Sequence, residues 1–220
     1  MSLRPLLVAV VSIAVLIGAQ AQTVVFSDNF DAGHSPQWDN AVGNWSASGG
    51  TYNAAAPNNL PPTFSGLPFV LTDFSISVRV NAASDGGLWL RAADNQNGVL
   101  LVTGGHGLTG TGLYWHIAVN GNYGAPQNEV SGLFVNGVSN LDLTVVVTGD
   151  TYSAYLNGSP TPVTTLTTSQ FTSGRVGLYD YSGQTFDNFV VSVPEPSTWA
   201  LAGLGLVFAA TSRRWRKRAA

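Results

Sequence analysis

Residues 74–80 alternate without a break: Phe74, Ile76, Val78 and Val80 are apolar, while Ser75, Ser77 and Arg79 are polar. Residues 141–148 repeat the pattern with Leu141, Leu143, Val145 and Val147 on one side, blurred only at Val146. Successive side chains of an extended chain point to opposite faces, so a period of two over this length predicts a half-buried strand. The same reading predicts strands at 24–30, 50–54, 86–93, 98–103, 112–119, 131–135, 152–156, 175–181 and 186–193. Turn signals separate them: Asp85-Gly86-Gly87, Asn97-Gly98, Asn120-Gly121-Asn122, Asn136-Gly137, Asn157-Gly158 and Ser182-Gly183. Between the two chain ends no long stretch carries a helical period. Many short strands, each with one polar face, predict an all-β protein of two antiparallel sheets packed face to face.

Composition narrows the function classes. The 220 residues include 25 glycines, a single lysine (Lys217) and no cysteine. Lack of cysteine excludes a disulfide scaffold, a thiolate zinc site and cysteine catalysis together. Charge is unevenly spread: residues 22–193 hold eleven acidic side chains against Arg79, Arg91 and Arg175. Phosphate backbones would be repelled by such a middle, so no nucleic-acid partner is expected.

The two ends read as addresses. Residues 1–21 have the form of a secretory signal peptide and predict an N-terminal signal helix. Arg4 comes first, then an apolar run from Leu6 to Ile17, then Ala19-Gln20-Ala21 as a signal-peptidase cleavage site before Gln22. At the other end, Pro194-Glu195-Pro196 precedes an apolar stretch from Trp199 to Ala210 and the basic cluster Arg213, Arg214, Arg216, Lys217 and Arg218. A short hydrophobic helix there would reach about 20 Å, less than the about 30 Å of a hydrocarbon core, which suits transient membrane anchoring. The basic cluster would stay on the cytoplasmic side. Residues 193–220 resemble the PEP-CTERM sorting signal of Gram-negative bacteria in the order of motif, apolar run and arginines. The resemblance implies an exosortase-type membrane transpeptidase as partner, with delivery to the cell envelope, outer surface or extracellular matrix. It also implies a setting of exopolysaccharide producers.

Residues 22–192 form the predicted single domain. Phe26-Ser27-Asp28-Asn29-Phe30, Gly86-Gly87-Leu88-Trp89-Leu90-Arg91, Tyr155-Leu156-Asn157-Gly158 and Phe186-Asp187-Asn188-Phe189 carry a further resemblance. They are similar to the concanavalin A-like jelly rolls, in particular the laminin G-like and glucanase-related modules. That resemblance implies a jelly-roll sandwich, and its family functions are too diverse to transfer.

Catalysis is not the expected role. Glycoside hydrolysis usually needs two carboxyl groups flanking one bond. In the glucanases that the fold resembles, both come from one strand bearing Glu-x-Asp-x-x-Glu, and this chain lacks that motif. Glu129 is the domain's single glutamate, and His34, His106 and His116 show no metal-ligand spacing. A hydrolase or lyase of the same fold is the alternative, and a purely structural matrix protein is a third.

Binding is the favoured class. Alternation turns Trp89 and Arg91 away from Leu88, Leu90 and Ala92, and turns Tyr114 and His116 away from Leu113, Trp115, Ile117 and Val119. Were both strands in one sheet, Trp89, Arg91, Tyr114 and His116 would line a groove for extracellular polysaccharide. Aromatic faces stack on sugar rings, and Arg and His can hydrogen-bond hydroxyls. The plainer reading is a solvated face, or a second core layer under a loop. Asp28 and Asp187 form a second site hypothesis: related jelly rolls often hold a structural calcium between first and last strands, and Asp187 matches that position. Calcium takes about six to eight oxygens, so carbonyls or water would have to complete the shell. Otherwise no cofactor is required.

Overall fold

A computed structural model describes residues 21–105 and 110–195. The expected signal helix, the short C-terminal helix and Pro196 lie outside the described residues. Among those described, no helix is long and apolar enough to cross a membrane.

The described chain is all β. Its strands are β1 (Gln22–Asp28), β2 (Trp45–Ser48), β3 (Thr51–Ala54), β4 (Ser65–Gly66), β5 (Phe74–Asn81), β6 (Gly86–Asp94) and β7 (Asn97–Thr103). They continue with β8 (Leu113–Ala118), β9 (Gln127–Val130), β10 (Leu141–Thr148), β11 (Thr151–Leu156), β12 (Thr164–Thr167), β13 (Arg175–Asp180) and β14 (Thr185–Pro194). One sheet runs β12-β11-β10-β5-β14-β3-β2, with β1 also pairing β14; the other runs β4-β13-β6-β7-β8-β9. Every strand pairing is antiparallel, and non-consecutive strands are neighbours in both sheets, as in a jelly roll.

Alternation decides what lies between the sheets. Ile76, Val78 and Val80 of β5 and Leu143, Val145 and Val147 of β10 enter the core from one sheet. Leu88 and Leu90 of β6, Leu101 of β7, and Leu113 and Trp115 of β8 enter from the other. Burying each such side chain is worth about 1.5–3 kcal/mol. Trp115 satisfies its indole N–H on Thr164 Oγ1 at 3.1 Å, tying β8 to β12 across the open end of the sandwich.

Several predicted boundaries move. Residues 131–135 are not a strand; the pairing segment is β9, just before them, because Gln127 and Val130 align with Trp115 and Leu113. Short β2, β4 and β12 carry too few alternations to be seen in the sequence. Asn97-Gly98 is no turn but lies inside β7. Three residues of β6, Arg91 to Ala93, stand opposite the single Gly98, since Leu90 pairs with Val99 and Asp94 with Asn97. A Cβ at Gly98 would lie 2.7 Å from Ala92 Cβ, so only glycine lets this bulge close. By contrast, Asn157-Gly158 is a turn after β11, with φ of 52° and 72° as a left-handed hairpin turn requires.

Candidate functional site

The bulge separates two residues expected to share a face. Trp89 points outward from the six-stranded sheet, away from Leu88 and Leu90, but it is 0% exposed. Its indole N–H donates to Thr63 O at 3.1 Å, and its ring meets Phe64 edge-on at 6.0 Å. The 58–64 segment thus covers it, with Thr63 held to the β13 backbone by reciprocal bonds between Thr63 Oγ1 and Asp180 O and N, both 2.7 Å. Trp89 belongs to a second core layer, with Phe64, Ala92, Leu100, Val102, Tyr114, Ala118 and Tyr179.

Arg91 leaves that face altogether. With φ of 45° in the bulge, it turns to the side of Leu90 and is 1% exposed. Its guanidinium donates to Thr72 O (2.6 Å), Gly149 O (2.8 Å) and Phe171 O (2.9 Å), and lies 5.3 Å from the Tyr152 ring centre. Asp73 follows at 3.5 Å. Arg91 closes one end of the sandwich and cannot meet a ligand beside Trp89. Ala92, expected inward, takes the outward place instead.

Tyr114 and His116 stay on the outward face as alternation predicts, their rings edge-on at 5.3 Å. Here the structure forms a pocket of about 270 Å³. Leu100 and Val102 of β7 make its floor; Tyr114 and His116 of β8 and Tyr179 of β13 rise beside them. Tyr123, from the turn after β8, and Asp85, just before β6, close two sides. Asn59, Leu60 and Pro62 form the rim, where Leu60 is 80% exposed. Tyr123 packs on buried Trp89 at 6.1 Å, and its carbonyl lies 2.9 Å from His116 Nδ1.

The electrostatics of the pocket follow from burial. Loss of water pushes the Asp85 carboxyl up to about 6, opposed by the O–H that Tyr179 donates to it at 3.3 Å. Burial, then the charge of Asp94, pushes Tyr123 up to about 12. Burial and then Asp85 push Tyr114 and Tyr179 further upward. All three phenols therefore remain protonated, each an apolar ring with a hydroxyl. Sequence patterning does not single out Tyr123, Tyr179 or Asp85 as pocket residues. Tyr179 alternates with Leu178, which is a usable signal; Asp85 reads as a turn residue, and only the chain's return past it makes it a wall.

Two other depressions are present among the described residues. One of about 520 Å³ lies over the eight-stranded sheet, lined by Arg79, Asp142, Asp187 and Asn188, with Arg79 paired to Asp142 at 2.8 Å. The other, of about 370 Å³, holds Asp28. The two aspartates expected to share a calcium thus line different depressions. Asp28 already accepts N–H groups from Phe30 (3.0 Å), Ser35 (2.7 Å) and the Trp38 indole (3.0 Å). Asp187 accepts from Asn188 N and Nδ2, at 2.6 and 3.0 Å. With three donors on it, the Asp28 carboxylate pins the loop after β1. Among the described residues no group of three or more His, Asp or Glu side chains could hold a metal.

At the domain's end, Pro194 closes β14 opposite Gln22, and Glu195 N–H donates to Ala21 O at 2.9 Å.

Comparison with solved structures defines the class as a jelly-roll β-sandwich. The chain is similar to the carbohydrate-binding module CBM66 from Bacillus subtilis, at 18% identity over 70% of this chain and 93% of that one, with a TM-score of 0.59. It is also similar to a B. subtilis protein of unknown function with a galectin-like fold, at 10% identity over 80% and 99% of the two chains and a TM-score of 0.59. A third is the kappa-carrageenase of Pseudoalteromonas carrageenovora, crystallised with an oligotetrasaccharide of kappa-carrageenan, at 12% identity over 83% and 99% and a TM-score of 0.52. At these identities the likeness is one of fold. Residues 192–217 match the PEP-CTERM protein-sorting motif, so the chain carries a sorting signal directly after its sandwich. No protein of curated function matches the chain at a significant level.

Proposed function

We propose that this is an exported protein of a Gram-negative cell surface or matrix, handed over by an exosortase-type enzyme, whose sandwich binds carbohydrate without cleaving it. The sorting motif at 192–217 supports the first half. The pocket between Tyr114, Tyr123 and Tyr179 supports the second. The part-buried Tyr123 ring, whose O–H is held on Asn95 O, and the apolar floor suit the C–H face of a sugar, and the Asp85 carboxyl can accept from its hydroxyls. A single carboxyl group, Asp85, lines the pocket among the described residues, whereas hydrolysis usually calls for two.

The test is binding of the purified chain to immobilised oligosaccharides, with Leu60→Ala and Tyr123→Ala beside it. Retention that both variants weaken carries the proposal, and reducing ends appearing over time would make the protein a hydrolase instead. Leu60 is exposed on the rim, so its replacement tests the pocket without disturbing the core.

A further inference from the structure

The domain has three arginines, and none lines the pocket. Arg79 is paired with Asp142 at 2.8 Å on the far sheet. Arg91 is buried among the carbonyls of Thr72, Gly149 and Phe171. Arg175 is paired with Asp39, donates to Leu67 O at 2.9 Å, and lies over the Phe64 ring. Its stacking puts it on Phe64, outside the pocket lining. Lysine is absent from residues 22–193, so the basic side chains of the domain besides these arginines are His34, His106 and His116. Asp85, meanwhile, sits in the pocket wall.

We infer that the pocket takes an uncharged sugar segment and discriminates against uronate- or sulfate-bearing chains, because its wall carries a carboxylate and every arginine of the domain is committed elsewhere. The inference rests on the carbohydrate-binding reading and names the substrate class for that same site. Recognition of an anionic sugar requires an opposing cation, most effectively a forked guanidinium. Without one, a sugar carboxylate entering the pocket loses water beside another carboxylate, and like charges at close quarters cost several kcal/mol. Neutral hydroxyls meet no such penalty; the Asp85 carboxylate, with Tyr179 as its internal donor, can accept from them. Among the described residues, the other ionisable groups lining the pocket are Tyr114, Tyr123 and Tyr179, which stay neutral, and His116.

The experiment compares the purified chain's affinity for matched pairs: oligoglucosides with oligoglucuronates, oligogalactosides with oligogalacturonates, and oligomannosides with oligomannuronates. At pH 8 Asp85, with its carboxyl at about 6, is ionised. A neutral member that binds about tenfold or more tightly than its uronate, with the gap narrowing in Asp85→Asn, carries the inference. A uronate that binds as tightly as its neutral partner, and loses that binding in Leu60→Ala, overturns the inference but leaves carbohydrate binding standing. Retention of no sugar at all, or retention indifferent to both Leu60→Ala and Tyr123→Ala, overturns the pocket reading and the inference together.

Discussion

Trp89 and Arg91 stand two positions apart on β6, yet they bury themselves on opposite sides of the sheet. Trp89 reaches Thr63 O on the outer side, while Arg91 reaches Thr72 O, Gly149 O and Phe171 O at the end of the sandwich interior. The cause is the bulge facing Gly98, which adds residues to β6 and brings Arg91 to φ 45°. A strand's parity holds only while its register holds. The pocket consequently forms beside Trp89, over Tyr114 and His116, and without a cation from the arginines.

Trp89 supports the pocket from below. Trp89→Ala removes a fully buried indole and its hydrogen bond to Thr63, and should cost about 3–5 kcal/mol of stability in urea unfolding. A fall of less than about 1 kcal/mol would mean that the 58–64 segment does not cover it.

Arg91→Met keeps much of the volume but strands the carbonyls of Thr72, Gly149 and Phe171. These carbonyls are only part-buried, so water can partly replace the guanidinium, and a loss of about 1–3 kcal/mol is expected. Sugar binding at a temperature where the variant is folded should be unchanged, which separates this arginine from a ligand contact.

Stability should fall as pH rises from 3.8 to 6. Burial lifts the carboxyls of Asp85 and Asp180 from 3.8 to about 6, and Asp180 is 0% exposed. Between those values the native state holds more protons than the unfolded chain, so this penalty is absent below 3.8 and complete above about 6. Asp180 Oδ2, buried without a hydrogen-bond partner, adds to the cost of the ionised form. Urea midpoints followed across the window should decline in the native chain, and the decline should shrink in the double variant Asp85→Asn/Asp180→Asn. An undiminished decline in that variant would assign it to other groups.

Asp28→Asn replaces an acceptor of three N–H groups by a side chain with one acceptor oxygen. A loss of about 1–3 kcal/mol is expected, equal in calcium and in chelator, since the bonds it breaks are to Phe30, Ser35 and Trp38. A calcium-dependent difference in melting temperature that vanishes in Asp28→Asn would assign Asp28 to a metal site instead.

Much of this molecule is legible along the chain. The alternation at 74–80 and 141–148 dictated two central strands, and the outward facing of Tyr114 and His116 followed from the same period. The order of Pro194-Glu195-Pro196, apolar run and basic cluster announced the sorting motif matched at 192–217. These features are local: a period of two, or a fixed order of residue types, needs no knowledge of what lies across the core. Arg91's reversal required Gly98 on a neighbouring strand, Trp89's burial required a segment 25 residues or more upstream, and Asp85 became a pocket wall only through Tyr179 of β13 and Tyr181 just after it. Such contacts depend on which strands become neighbours. A pattern read one strand at a time shows which side a residue faces, but what covers that side is settled by packing.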